Sequence, residues 1–365
     1  MTETLFQPIK LGNLTLKNRI VMPPMTRSRA TQPGNIANHL MADYYAQRAS
    51  AGLIISEGTQ ISALGQGYAW TPGIYSAAQI AGWKTVTSAV HAKGGVMFAQ
   101  LWHVGRVTHL DNTGGETPIS SSALKAENVK VFIDNGQQAP GFVDVVMPRE
   151  MTQADIKAVI EEYRQAALNA LDAGFDGIEL HAANGYLINQ FIDSEANNRI
   201  DEYGGSIANR LRFLDEVVTA LIEAIGAARV GVRLAPLTSL NGTVDATPVE
   251  TYTAAAALLA RHKIAYLHIA EVDWDDAPET PLSFKQALRN AFHGVLIFAG
   301  RYDGEKAVQT LNDGLADMIG FGRPFVANPD LPKRIQHHYP LADHDPDTLF
   351  GGGEKGLTDY PEYKP

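Results

Sequence analysis

The feature that most constrains the fold is a long alternation of short apolar runs with segments of helical periodicity. The runs at 19–22, 52–56, 96–101, 177–181, 230–234, 266–270, 295–299 and 317–321 are rich in Val, Ile and Leu, the pattern of strands buried on both faces. Between them, residues 38–51, 77–92, 152–173, 206–225, 248–262, 281–292 and 304–312 place apolar residues at helical spacing, and a last helix begins near Pro324. Thr152 with Asp155 reads as a helix start, and Ser206 as a helix cap. Eight strands alternating with helices predict an α/β fold, a single (β/α)8 TIM barrel. Residues 5–17 alternate around Gly12-Asn13 and predict an N-terminal hairpin. The connection over 103–151 is too long for a plain loop, so a functional excursion after strand 3 with a hairpin of its own is expected there. No shift of composition marks a boundary, and residues 1–365 are read as one domain.

Composition narrows the function by exclusion. The formal net charge of -10, with no basic run, argues against nucleic acid and anionic membranes as partners. Cys 0 excludes disulfides, thiolate catalysis, iron–sulfur clusters and cysteine-based zinc sites. The start Met1-Thr2-Glu3-Thr4-Leu5 is not that of a signal peptide, and no stretch matches a membrane span, so a cytoplasmic protein is expected. His337-His338 stands in a polar segment and there is no HExxH, so no metal is expected.

In such a barrel the active face lies at the C-terminal ends of the strands. There the fourth strand runs into His181, Asn184 and Tyr186. In a helical turn, His181 and Asn184 would be i,i+3 neighbours that aim two neutral donors at one oxyanion, with the Tyr186 phenol as proton donor. An ordinary strand end with locally satisfied polar groups is the plain alternative. Gly300-Arg301 and Gly322-Arg323 follow the last two strands, where barrels commonly hold a phosphate. Gln100 and Arg233 end strands three and five and suit the edge of a flat heteroaromatic; an Arg233 paired with a carboxylate is the alternative. Phosphate and heteroaromatic together suggest flavin mononucleotide, and the lack of GxGxxG argues against a Rossmann-type dinucleotide site. Tyr68, Trp102, Tyr186, Trp274 and Phe350 would wall an apolar pocket over the ring. Asn197-Asn198-Arg199 and the stretch from Asp201 to Ser206 read as a structural polar loop.

These residues resemble the old yellow enzyme family of FMN-dependent ene-reductases, along essentially the whole chain. The resemblance is carried by Asn18-Arg19 through Arg27, by Gln100-Leu101-Trp102-His103-Val104-Gly105-Arg106, by His181 to Tyr186, and by Asn198 to Ser206 with Asn209-Arg210. Gly322-Arg323-Pro324 with Asn328-Pro329-Asp330 continues it. The tail Phe350-Gly351-Gly352-Gly353 with Thr358-Asp359-Tyr360-Pro361 is similar to the bacterial branch typified by N-ethylmaleimide reductase. The resemblance implies reduction of the C=C bond of α,β-unsaturated carbonyls by NAD(P)H, with NADPH preferred, non-covalent FMN, and a side activity on nitro compounds. It implies Thr26 near the reactive flavin nitrogen, Pro24 and Gly58 as backbone contacts, and Gln100 and Arg233 at the pyrimidine edge. Gly300, Arg301, Gly322 and Arg323 would hold the phosphate, His181 and Asn184 the substrate carbonyl, and Tyr186 would donate the proton. Tyr68, Trp102, Phe142, Asn241, Trp274 and Phe350 would form the substrate pocket. Phe142 stands where bacterial relatives have Arg, and Phe350 where they have a pocket Tyr, which counts against nitrate esters more than against enones. A monomer is expected, with a dimer as the alternative. The rival functions are a flavin-free, phosphate-recognising aldolase or isomerase barrel and a non-catalytic flavin-binding protein.

Overall fold

Eight parallel strands close into a barrel: β1 (Ile20–Met22), β2 (Leu53–Gln60), β3 (Met97–Trp102), β4 (Gly177–His181), β5 (Val230–Leu234), β6 (Tyr266–Ala270), β7 (Val295–Ala299) and β8 (Met318–Gly320). Each pairs with its neighbours in sequence, and β8 pairs with β1 to close the ring. The computed structural model describes residues 3–271 and 278–364. Helices follow the strands on the outside, among them His39–Gln47, Ala77–Ala92, Gln153–Asp172, Arg212–Ile225, Pro248–His262, Leu282–Ala291 and Gly304–Asn312. The (β/α)8 expectation holds. Asn38 caps the first of these helices, and Thr152 with Asp155 forms a full capping box on Gln153–Asp172. Among the described residues, no helix is long and apolar enough to cross a membrane.

The expected N-terminal hairpin pairs Ile9–Leu11 with Leu14–Leu16. Its Leu11 and Leu16 are buried with Val21, Leu53, Phe98, Tyr266 and Met318, which stand near the starts of the barrel strands. The hairpin is therefore a plug for the N-terminal end of the barrel. Each such aliphatic side chain taken fully from water contributes about 1.5–3 kcal/mol.

Above the plug, the parallel register sorts the interior by alternate residues. On β3 the inward positions are Phe98, Gln100 and Trp102; on β4 they are Gly177, Glu179 and His181. Gly177 is paired with Phe98 and Glu179 with Gln100. On β5 and β6, Gly231 is paired with Tyr266 and Arg233 with His268. Each glycine faces a ring: a Cβ on Gly177 would stand 2.5 Å from Phe98, and one on Gly231 would enter the Tyr266 ring. The interior thus rises from an apolar tier of Phe98 and Tyr266, through a polar tier of Gln100, Glu179, Arg233 and His268, to the active face.

Three expectations are revised. Strand β2 does not stop at Ser56 but continues to Gln60 through a one-residue bulge, since Ile55 pairs with Phe98 and Gly58 with Gln100. The helix expected over 206–225 is two, Ile207–Arg210 and Arg212–Ile225, broken at Leu211. The break coincides with buried Arg210, whose guanidinium donates to the Ile192 carbonyl and to Asp245 at 2.6 Å. The last helix, expected to begin near Pro324, is two, Gly322–Ala327 and Leu331–His337. The excursion carries its hairpin, Lys130–Ile133 with Gly141–Asp144, and a parallel pairing of Ile119–Ser120 with Arg149–Glu150 ties its two ends together. Gly231→Ala should cost about 1–3 kcal/mol by overpacking against Tyr266, read as a lower denaturant midpoint. An unchanged midpoint would show that the interior yields there.

Candidate active site

The strand ends open into one cavity of about 680 Å³. Its lining includes every expected site residue except Trp274, which lies outside the described residues. His181, Asn184, Tyr186, Tyr68, Trp102 and Asn241 form one wall; Gln100 and Arg233 line it from the polar tier; and Pro24, Thr26 and Gly58 come from β1 and β2. Gly300, Arg301, Gly322 and Arg323 contribute the side at β7 and β8, while Phe142 and Phe350 line it from the excursion and the C-terminal segment. The last two rings are 66% and 55% exposed, so they rim the mouth rather than wall the interior.

The turn after β4 is not helical between His181 and Asn184, so the i,i+3 geometry expected there does not arise. Asn184 and Gly185 both adopt positive φ, 56° and 77°, and reverse the chain before Tyr186 opens the helix Leu187–Ile192. The loop after β5 holds this reversal in place. Asn241, itself at φ 58°, donates from its amide to the Asn184 carbonyl at 2.8 Å. A Cβ on Gly185 would meet Asn241 at 2.7 Å, so only glycine fits under the loop.

The wall is a close aromatic assembly. Trp102 stacks on Tyr68 (5.8 Å, 18°) and on His181 (6.1 Å, 18°), and Tyr186 stands edge-on to both Trp102 and His181. Gly58 is glycine because the Trp102 ring occupies the space a Cβ would take. The Ala183 N–H donates to His181 Nδ1 at 3.4 Å, which leaves Nε2 to carry the proton of the neutral ring. Burial pushes the His181 pKa well below its ordinary value, and Arg233 and His268 act in the same direction. Burial likewise pushes the Tyr186 phenol well above its ordinary value, with Tyr68 adding to the rise. The two hydroxyls are 3.3 Å apart. The wall therefore presents a neutral imidazole and a phenol that keeps its proton.

In the polar tier, Gln100 donates to Glu179 at 2.9 Å and Glu179 accepts from His268 at 2.8 Å. Arg233, 6% exposed, keeps a buried Nε without a hydrogen-bond partner among the described residues. Among the described residues, Arg233 forms no ion pair of the kind the alternative required. The loop from Asn197 to Ser206 is the structural element expected: Arg199 pairs with Asp201 at 2.6 Å and donates to the Ser121 and Met151 carbonyls.

Three features escaped sequence reasoning. Glu57, thrown behind the Thr26 turn by the β2 bulge, accepts from the backbone N–H groups of Arg27 (3.4 Å) and Ser28 (3.3 Å). Arg27 and Arg29 then strap the C-terminal segment over the site, donating to carbonyls of Thr348, Leu349, Gly353 and Gly356. Lys285 reaches Glu271 at the end of β6 (2.8 Å), beside Tyr302. Glu179 escaped it as well, although period-two spacing backwards from His181 finds it; nothing in the local sequence marks the other three.

Comparison with known proteins places this geometry. Residues 4–342 match the model of the NADH:flavin oxidoreductase / NADH oxidase family. The chain belongs to that family. It is 41% identical to flavin oxidoreductase hxnT of Emericella nidulans, over 98% of this chain and 97% of the relative. It is 40% identical to 12-oxophytodienoate reductase 1 of Oryza sativa subsp. japonica, over 98% and 92%. Morphinone reductase superposes with a TM-score of 0.96 at 48% identity, covering 98% of this chain and 96% of that one. The old yellow enzyme homologue of Zymomonas mobilis does so with 0.93 at 42%, covering 99% and 100%. Family membership makes the protein a flavin-dependent oxidoreductase.

Glu57 offers a test of the strapped side. Burial raises its pKa to about 7, against the opposing pull of the Arg27 and Ser28 N–H groups and of the Arg27 and Arg29 charges. The folded state then binds a proton more tightly than the unfolded one, so this group's contribution declines as pH rises from about 4.5 to about 7. Glu57→Gln should remove that decline, and the stability difference between variant and wild type should change by about 2–3 kcal/mol across the window. Urea unfolding at both pH values measures it; parallel pH profiles would contradict it.

Proposed function

We propose that the protein is an FMN-dependent ene-reductase that reduces the C=C bond of α,β-unsaturated carbonyls, with NADPH preferred to NADH. The observation that carries this reading is the wall of neutral His181 and protonated Tyr186 beside Asn184, lining the same cavity as Gln100, Arg233 and the two Gly-Arg pairs. The names of relatives, 12-oxophytodienoate reductase and morphinone reductase, point the same way.

The residues present fit FMN. Arg233 has an unpartnered buried N–H donor, and Gln100 has its amide nitrogen engaged and its carbonyl oxygen left over, a pairing that matches the C=O and N–H edge of a pyrimidine ring. Gly300, Arg301, Gly322 and Arg323 would hold the phosphate, with bidentate guanidinium donors. Thr26, Pro24 and Gly58 would border the ring system. When bound, FMN supplies the chemistry of hydride transfer between the nicotinamide and the alkene.

The chain's own part is binding, polarisation and proton delivery. His181 Nε2 and the Asn184 amide donate to the substrate carbonyl oxygen, and both bonds strengthen as that oxygen takes on enolate charge. Both donors are neutral, so neither loses a proton to the enolate. Tyr186 gives its phenolic proton to the α-carbon, and Tyr68, 3.3 Å away, can hydrogen-bond the oxygen left behind. Phe142, Phe350 and Trp102 keep the approach apolar, which favours enones over anionic substrates. A monomer acting in the cytoplasm is part of the proposal. For the aldolase alternative, no lysine is among the described residues that line the cavity, and Lys285 is tied to Glu271.

Anaerobic titration with NADPH should bleach a visible flavin band that cyclohexenone restores; a protein unable to take up FMN would refute the reading. Tyr186→Phe should slow the alkene half-reaction by about 100-fold or more and leave flavin reduction nearly intact; an equal loss in both would remove the proton-donor role. His181→Ala should weaken phenol binding by about tenfold, and unchanged binding would exclude the carbonyl site.

A further inference from the structure

Glu179 touches nothing in the cavity, yet it decides what the cavity presents. It is 0% exposed, and both its oxygens are engaged: Oε1 accepts from Gln100 Nε2 at 2.9 Å and Oε2 from His268 Nδ1 at 2.8 Å. A side-chain amide can sit in either of two orientations, with its NH2 or its oxygen foremost, at almost equal steric cost. A carboxyl group behind it removes that freedom, because its acceptor oxygen takes the NH2 group and leaves the amide oxygen for the other side. His268 fixes the carboxyl group in turn. Its other nitrogen, Nε2, has no partner, so the donor on Nδ1 is its one described hydrogen bond. The backbone of Gln100 is fixed as well, its N–H donating to Ser56 Oγ at 2.9 Å within the β2 bulge.

We propose that Glu179, braced by His268, is a positioning residue that holds Gln100 with its carbonyl oxygen toward the cavity, so that the site selects a ring bearing an N–H donor at that edge. The inference rests on the FMN reading above, in which that donor is the imide N–H of the flavin. Glu179 acts only through Gln100. A ring with that nitrogen capped leaves the amide oxygen buried without a partner and is rejected for that reason.

Apo-protein reconstituted with FMN and with FMN methylated on the imide nitrogen, followed by quenching of flavin fluorescence, gives the affinity ratio without reference to turnover. The wild type should prefer FMN by tenfold or more. In E179Q the residue behind Gln100 offers donor or acceptor alike, Gln100 can turn, and the preference should shrink by about tenfold. E179D keeps an acceptor-only side chain and should retain most of it. Equal weakening of both flavins in E179Q, or an unchanged ratio, would overturn the inference, since a merely structural carboxyl group predicts one of these. Should E179Q not fold, the imide proton of ¹⁵N-labelled FMN in the wild-type holoenzyme decides. A resonance protected from solvent exchange and shifted downfield supports the inference, and one exchanging freely overturns it. A wild type that binds neither flavin would instead refute the FMN reading itself, which keeps the two failures apart.

Discussion

Glu179 is buried at the centre of a barrel, and such a group stands only if its oxygens are satisfied there, since a buried polar atom without a partner costs about 1–3 kcal/mol. Gln100 meets that need from the neighbouring β3 and His268 from β6, two strands away. Around them, Gly177 and Gly231 make room below for two rings, and Trp102 and His181 rise above. One tier of hydrogen bonds thus separates an apolar plug from a reactive cavity. The register that pairs Glu179 with Gln100 also brings His181 beside Arg233, so the chemistry of the wall and of the polar tier come from one arrangement.

The barrel was legible because its signals are local and repeated. The helical periodicity between the strands agrees with them, and the runs at 177–181, 230–234, 266–270 and 295–299 coincide with the observed strands. What failed was local geometry that only tertiary contact decides. The turn after β4 can be read as helical, and Asn184-Gly185 also tolerates positive φ; Asn241, which approaches from the next loop, holds the second conformation. Strand β2 reads as ending at Ser56, because Glu57-Gly58 is poor strand sequence; the bulge and the packing of Trp102 on Gly58 carry it on. The site residues were legible as types at strand ends. Their support, from Glu57, Glu179 and His268, was not, because a buried carboxyl group looks like any other in a sequence.

Family membership agrees with this division. Relatives in fungi, plants and bacteria match the chain over nearly its full length, so the barrel, the plug and the excursion are shared as one architecture. Within that shared frame, the residues at the mouth set the character of the pocket here. Phe132 stands edge-on to Phe142 at 5.3 Å and tilted against Trp70 at 5.1 Å, and Trp70 is anchored to Asp134 at 2.9 Å. On the Phe142 side the apolar rim is thus a braced surface.

The arginine strap has a consequence for the order in which the molecule is built. Arg27 donates to the Leu349 carbonyl across 322 residues of chain, beside a β1 that closes the barrel only by pairing with β8. Lengthening a loop costs little at equilibrium, about 0.6 kcal/mol for each doubling, so such closure is thermodynamically mild. It is slow, however, because contacts so distant form late. On the ribosome, the Thr26 turn emerges well before the segment that straps it, since 322 residues separate Arg27 from Leu349. Plug, excursion and polar tier can form while the chain is still growing, but the mouth of the cavity is complete only after synthesis has passed Leu349.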